Sequence, residues 1–311
     1  MTVSAECFGR VAVLMGGWSA EREISLQSGK AVLEALLAEG VDAVGIDVDR
    51  NIAARLAEGG FSRAFNILHG RGGEDGVIQG LLEVLDLPYT GSGVKASAIA
   101  MDKVMSKRLW SVQGLPTPAF MPLDADTEWS AVVEALGLPL IVKPACEGSS
   151  IGMSIVESEA DLPAARRRAS EQPGEAFAEQ WIDGEEYTVT ILGDAALPAI
   201  RLETPHAFYD YAAKYQSDDT RYLCPCGLSA AEEQRLGELS LAAFRALGAR
   251  GWGRVDLMRD KQGAFWLIEL NTIPGMTTHS LAPKAARVAG MSFEQLVMRI
   301  LSTSDGRTAN G

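Results

Sequence analysis

The chain has 311 residues, enough for two or three domains with substantial cores. Hydrophobic residues make up 47% of it and charged residues 22%, the balance of a soluble globular enzyme. A net charge of −13 argues against a general nucleic-acid binder and leaves only a few placed Lys and Arg residues to hold a nucleotide phosphate.

The amino terminus, MTVSAECFGR, has no apolar core of signal-peptide length, and no stretch approaches membrane-spanning length. Cys7, Cys146, Cys224 and Cys226 make neither a CxxC pair nor a zinc set, and a secreted disulfide framework would need more. The expectation is a cytoplasmic protein with free thiols and with no membrane or nucleic-acid partner.

Arg10–Met15 is a β run that ends at Gly16-Gly17, and a helical pattern follows through Leu26, Val32, Leu33 and Leu36. Further β runs fall at Val44–Val48 and Ala64–Leu68 with a helix-like segment between them. This alternation predicts a parallel sheet with helices on its faces. In such sheets ligands bind at the carboxyl ends of the strands, where Gly16–Glu21 and His69–Gly76 (HGRGGEDG) lie. Glycines there let backbone amides approach an anion, and the helices that follow add a favourable dipole. Glu21 and His69 would supply charge and hydrogen bonds at that rim; read alone, they are a helix-start acid and a turn histidine. Gly91–Ala96 matches a dinucleotide pattern but follows a poor strand, and reads as a connector. No Walker-type loop occurs, so any ATP is held by another architecture.

Leu138–Val142 reads as a strand ending in Lys143, and Met153–Val156 as its return across a small, hydroxyl-rich loop at 144–152. Lys143 can place an ammonium on a phosphate; the loop is either a phosphate flap or simply a turn. Phe177–Ile182 alternates like a strand and turns at Asp183-Gly184 into Glu185–Leu192. Residues 205–227 have no clear period, and a loop of that length tends to be functional. Lys214 and Tyr215 are at its centre, while His206 and Cys224-Pro225-Cys226 receive no role. Ser229–Ala246 reads as a long amphipathic helix.

Residues 254–275, RVDLMRDKQGAFWLIELNTIPG, read as a β-hairpin. With a two-residue loop, Gln262–Gly263, Asp256 lies opposite Glu269 and Arg254 opposite Asn271, all on one face. Carboxylates facing each other repel unless a cation sits between them. Hard oxygen ligands without Cys or His favour Mg²⁺ or Mn²⁺, and Mg²⁺ commonly shares its shell with phosphates. The alternative is the solvent-facing side of an edge hairpin.

Taken in order, GGWSAEREISL, LHGRGGEDG, YTGSGVKASAIAMDK, VKPACEGSSIGM, FYDYAAKY, GWGRVDLM and ELNTIPGMTTHSL resemble the motifs of the D-alanine–D-alanine ligases of the ATP-grasp superfamily. The likeness runs from about residue 10 to residue 301. It implies a three-domain α/β ATP-grasp fold with an N-terminal Rossmann-like parallel-sheet domain. The expected divisions are a substrate domain at 1–102, a central ATP-grasp subdomain at 103–183 and a C-terminal subdomain with metal site and lid at 184–311.

The resemblance also implies roles. Lys103 and Lys143 would bind ATP phosphates, Lys214 the γ-phosphate, and Glu179, Gln180, Trp181, Ile182 and Glu186 the adenine and ribose. Asp256, Glu269 and Asn271 would ligate two Mg²⁺ or Mn²⁺ ions. Glu21 would hold the ammonium of the first D-alanine, with His69 near its carboxylate and Ser149 and Tyr215 bonded to Glu21 in a lid. Arg254 and the Gly275 backbone would stabilise an oxyanion, and Ser280 and Leu281 would take the second carboxylate. The implied reaction joins two D-alanines at the expense of ATP for peptidoglycan synthesis, in a homodimer. Trp18, Cys146 and Cys226 depart from the residues expected at their positions, and none replaces a catalytic group. Lys214-Tyr215 resembles the dipeptide-forming subgroup rather than the depsipeptide-forming one.

Overall fold

The computed structural model describes residues 5–146, 152–203, 220–277 and 280–306. Its first sheet is parallel, in the order β2-β1-β3, built from β1 (Val11–Gly16), β2 (Ala43–Val48) and β3 (Arg63–Asn66). The crossovers are α1 (Arg22–Ala38) and α2 (Ile52–Glu58). Every residue of β1 is buried, because the strand has a core on each face. Val11, Val13 and Met15 pack with Val32 and Leu36 of α1. Ala12 and Leu14 pack with Ile52 and Leu56 of α2 and with Ile78 and Leu82 of α3 (Val77–Val84). A strand covered on both sides reads as continuously apolar, which is why it stood out. β3 stops at Asn66, two residues before the expected end. There the side-chain amide accepts from the Leu68 N–H and donates to the Gly73 carbonyl, starting the glycine-rich loop.

Of the expected connector only residues 91–93 lie outside a helix; residues 94–96 are already the first turn of α4 (Val94–Met101), and α5 (Lys103–Val112) follows at once. The Asp102 carboxylate caps α5 by accepting the Met105 N–H at 3.0 Å. A four-stranded antiparallel sheet then runs in the order β4-β7-β5-β6. Its strands are β4 (Phe120–Leu123), β5 (Leu140–Pro144), β6 (Ser154–Val156) and β7 (Ala176–Gln180). β5 begins at Leu140 rather than Leu138, since Pro139 has no N–H to place in a ladder. Helices α6 (Trp129–Leu136) and α7 (Leu162–Ser170) cover one face.

The largest sheet comprises β8 (Gly184–Leu192), β9 (Ala195–Ala196), β10 (Ile200–Glu203), β11 (Arg221–Leu223), β12 (Trp252–Asp260) and β13 (Phe265–Asn271). Its path is β11-β10-β8-β12-β13, with β9 paired to β8. One face is apolar: Tyr187, Val189, Val255, Leu257, Leu267 and Leu270 pack against α8 (Ala230–Ala246) and Trp110. A capping box between Ser229 and Glu232 starts α8. Two helices follow, α9 (Leu281–Val288) and α10 (Phe293–Ser302). Leu296, Val297, Ile300 and Leu301 of α10 complete the core on the α1 side of the first sheet, so the two ends of the chain share one core. No helix among the described residues is long and apolar enough to cross a membrane.

The β12–β13 hairpin corrects one expectation while keeping its result. Asp256 pairs with Glu269 and Arg254 with Asn271, as expected. The turn, however, has three residues, Lys261, Gln262 and Gly263, because Asp260 N–H bonds the Ala264 carbonyl and Gly263 takes φ +88°. Leu257 pairs with Leu267, one residue out of step, and a bulge at Ile268 restores the register before Glu269. The same bulge lets Leu267 and Leu270, three residues apart, both face the helix-covered core.

Candidate active site

The other face of the largest sheet is polar. Across β8, β12 and β13, Thr188, Asp256 and Glu269 are in register, and Thr190, Arg254 and Asn271 form the next row. Asp256 is 8% exposed. The Arg254 guanidinium donates to both of its oxygens at 2.7 Å, and Thr188 Oγ1 donates to Oδ1 at 2.7 Å. Glu269 Oε2 is 3.1 Å from the Lys103 ammonium at the start of α5. Asn271 Oδ1 accepts the Ile273 N–H at 3.0 Å. Two carboxylates and an amide oxygen thus share one face with a cation beside each carboxylate. Such an all-oxygen set fits a hard divalent ion in chemistry and charge. Among the described residues no group of three His, Cys, Asp and Glu side chains is placed to hold a metal, so an ion here needs Asn271 or substrate oxygens as well.

A second cluster of charge lies behind it. Lys143 of β5 is 5% exposed and Glu179 of β7 is 2% exposed. The Lys143 ammonium is 2.8 Å from Glu179 Oε1, and the wholly buried Lys107 ammonium is 2.6 Å from Oε2. Burial pushes the Glu179 carboxyl up, but the two lysines outweigh it and hold the group below its usual range. Burial pushes Lys107 down to about 8 against the pull of Glu179. The Glu179 carboxylate therefore faces ammonium groups rather than an open base site. Gln180 is exposed, Trp181 half-buried and Ile182 buried where β7 turns into β8, and Glu186 pairs with Met258 and Leu202 within the sheet.

The amino-terminal rim reaches the same place. Ser19 Oγ donates to the His69 carbonyl at 2.7 Å and accepts the Glu21 N–H at 3.1 Å, joining the two glycine-containing loops. The Glu21 carboxylate lies over Gly70, where a Cβ would stand 3.0 Å from Oε2; with φ +69° this position requires glycine. His69 is buried, with Nε2 at 3.4 Å from Ser28 Oγ. Burial lowers its pKa while the Glu21 charge raises it. Ser28 Oγ also accepts the Met276 N–H at 3.1 Å, so the loop after β13 docks on this rim. Gly275 packs beside Ser280, where a Cβ would come 2.9 Å from Oγ, and that hydroxyl accepts the Thr277 N–H at 2.9 Å. Ser280 precedes α9, and Leu281 is buried with Ile200 and Leu202, which leaves its backbone rather than its side chain to meet a ligand.

Glu74 went unassigned in the sequence. Its carboxyl accepts the Gly70 N–H at 2.6 Å and the Ile273 N–H at 3.3 Å, linking the His69–Gly76 loop to the loop that follows the hairpin. Burial and the neighbouring Glu21 charge push it up to about 8, while its hydrogen bonds and Arg254 oppose the shift. Its only signal was its place within HGRGGEDG. Lys107 was also missed. Ser149, Lys214 and Tyr215 lie outside the described residues. Trp18 lies against Gly72, with the Arg50 guanidinium over its ring at 4.2 Å, and so covers the outer side of the rim.

The structure thus sets Lys103, Arg254, Asp256, Glu269 and Asn271 on one polar face, joins the loop that carries Gly275 and leads to Ser280 to the Glu21–His69 rim through Glu74 and Ser28, and ties Lys143 and Glu179 to the hairpin through Lys107. Comparison with known proteins gives this arrangement a family. Residues 109–302 match the family model described as D-ala D-ala ligase C-terminus, and residues 52–92 the one described as D-ala D-ala ligase N-terminus. A D-alanine–D-alanine ligase of Nitrosococcus oceani is 58% identical over 302 residues, covering 97% of this chain and 96% of the relative. The chain belongs to the D-alanine–D-alanine ligase family. A second family member, from Alkalilimnicola ehrlichii, is 59% identical over 98% of this chain and 97% of its own. Among solved structures, a D-alanine–D-alanine ligase of Bacillus anthracis complexed with ATP matches with a TM-score of 0.84 and 33% identity, covering 95% of this chain and 97% of that one. The VanG D-Ala:D-Ser ligase of Enterococcus faecalis matches at 0.83 and 29% identity, with 95% and 99% covered. The fold is therefore the α/β fold of the ATP-grasp ligases.

Proposed function

We propose that this family member joins two D-alanines into D-alanyl-D-alanine, with ATP as co-substrate, and supplies a peptidoglycan precursor. The observation that carries the reading is the Asp256–Glu269 pair, flanked by Arg254 and Lys103, facing the Glu21–His69 rim. A free carboxylate is a poor acyl donor because oxide would have to leave. Transfer of the ATP γ-phosphoryl group to the first D-alanine gives an acyl phosphate, and the amine of the second then displaces phosphate to form the peptide bond.

In this reading Glu21 receives the first ammonium and the buried His69 lies near the first carboxylate. Lys103 and Lys143 hold ATP phosphates, and residues 179–182 with Glu186 hold adenosine. Arg254 and the Gly275 N–H steady charge on the attacked carbonyl oxygen, which is worth most in a site without water. Ser280 and the Leu281 backbone take the second carboxylate. Asp256, Glu269 and Asn271 would hold two Mg²⁺ or Mn²⁺ ions, whose chemistry is to offset phosphate charge during transfer. Ser149, Lys214 and Tyr215, outside the described residues, would take the lid roles that the family resemblance implies. The corresponding organisation is a substrate domain at 1–102, a central subdomain at 103–183 and a C-terminal subdomain at 184–311, in a cytoplasmic homodimer.

The test is phosphate release from ATP and Mg²⁺ with D-alanine, L-alanine, or D-alanine plus D-serine or D-lactate. Release with D-alanine alone and formation of the dipeptide are expected. Release only when D-serine or D-lactate is added would replace the acceptor, and none with any amino acid would overturn the reading.

A further inference from the structure

We infer that Lys107 is a positioning residue for ATP binding, acting on Lys143 through Glu179. The inference rests on the ATP-binding reading above. Lys107 lies one helical turn after Lys103 on α5 and is completely buried. Its ammonium meets Glu179 Oε2 at 2.6 Å, Thr117 Oγ1 at 2.8 Å and the Leu267 carbonyl at 3.3 Å. Two of its protons are hydrogen-bonded, to Thr117 and Leu267, and the ammonium is ion-paired with Glu179. Thr117 is itself fixed, since Oγ1 donates to the Leu267 carbonyl at 2.8 Å.

The charge balance explains why a lysine stands where an apolar side chain would fill the space. Burying an ammonium has a desolvation cost of several kcal/mol, about what its ion pair returns, so stability alone does not call for it. If Glu179 had Lys143 as its sole partner, the pair would be neutral and the carboxylate would draw the Lys143 ammonium toward itself. With Lys107 on the other oxygen, one carboxylate is shared by two ammoniums and the group keeps one net positive charge. Lys107 is sealed inside, so that surplus is available at Lys143, near the carboxyl end of β5. The Leu267 bond adds a spatial constraint. It ties the lysine group to the strand that carries Glu269, while Lys103 of the same helix reaches Glu269 directly. One helix therefore sets the spacing between the phosphate-side lysine and the carboxylate hairpin.

The test is a double-mutant cycle on ATP affinity, read by calorimetric titration of the full-length protein with ATP and Mg²⁺, alongside the D-alanine KM. Lys107→Met is expected to weaken ATP binding by about tenfold, to leave the D-alanine KM within about twofold, and to weaken binding by less than about twofold further in a Lys143→Met background. A merely structural role would act equally in both backgrounds and on both substrates, so additive weakening overturns the inference. If Lys107→Met does not fold, Thr117→Val removes one acceptor and leaves the lysine in place; the same Lys143-dependent pattern at smaller amplitude is expected, and unchanged ATP affinity overturns the inference. Wild-type protein that fails to bind ATP would overturn the ligase reading and this inference together. Wild-type binding that Lys107→Met leaves unchanged would overturn this inference alone.

Discussion

Replacing Arg254 by Met separates two contributions, one to folding through Asp256 and the one to turnover proposed above. In the structure its guanidinium grips Asp256 with two bonds of 2.7 Å, and both side chains are largely buried. Removing it leaves the Asp256 carboxylate, 8% exposed, held by the Thr188 hydroxyl without the guanidinium that neutralised it. Breaking a buried pair in this way costs about 3–5 kcal/mol of stability. Loss of one preorganised donor to the reacting oxygen costs about 3–4 kcal/mol of transition-state stabilisation, roughly 10²–10³-fold in kcat. On the proposed reading the two losses would respond differently to Mg²⁺ and ATP, because a divalent ion at Asp256 would replace the missing cation in the folded state but would supply no donor at the carbonyl oxygen. Thermal unfolding with and without Mg²⁺ and ATP, beside phosphate release with D-alanine, reads both. The expected result is a lowered Tm that ligand largely restores and a kcat that it does not. A folded Arg254→Met protein turning over within about threefold of wild type would refute the oxyanion role.

Three further outcomes follow from the same cleft. Glu74→Gln offers one acceptor to two N–H groups, so one is left facing an amide; denaturant titration is expected to show a loss of about 1–3 kcal/mol, and the D-alanine KM to rise as the 273–275 loop loosens. Because Glu74 is raised from 4.5 to about 8, its protonated form favours the fold: that stability is fully present below 4.5 and is lost as pH rises through about 8, a component of the Tm–pH curve that Glu74→Gln should lack. Gly275→Ala drives a Cβ to 2.9 Å from Ser280 Oγ, which the Thr277 bond holds in place, so dependence on D-alanine concentration should shift at little cost in Tm; unchanged kinetics would count against the second-substrate role of this turn.

How much was legible depended on where each side chain's environment comes from. β1 could be read because burial on both faces makes a strand uniformly apolar, and α8 because its cap and its period are local. The pairing of Asp256 with Glu269 came out correctly although the assumed two-residue turn did not. A three-residue turn and a bulge at Ile268 offset each other. The clue was present in Leu267 and Leu270, since two core leucines three apart cannot share a face of a regular strand. Lys107 had no such clue. It lies among charged neighbours in KVMSKRLW, a pattern that reads as a solvated helix face, and only the approach of two sheets from elsewhere in the chain buries it. Glu74 was hidden differently: its motif drew attention to glycines, while its role comes from Ile273, two hundred residues away in round numbers.

The bulge at Ile268 also makes the hairpin tip a place where the chain can change length. Register at Asp256 and Glu269 is fixed from below, by Val255 and Leu270 on one side of the bulge and Leu257 and Leu267 on the other, all anchored in the core under α8. The turn closes a ladder that is already aligned and does not set its phase. Lys261 and Gln262, exposed at that tip, therefore form an attachment point for a label or a short inserted loop that leaves the carboxylate face aimed as it was.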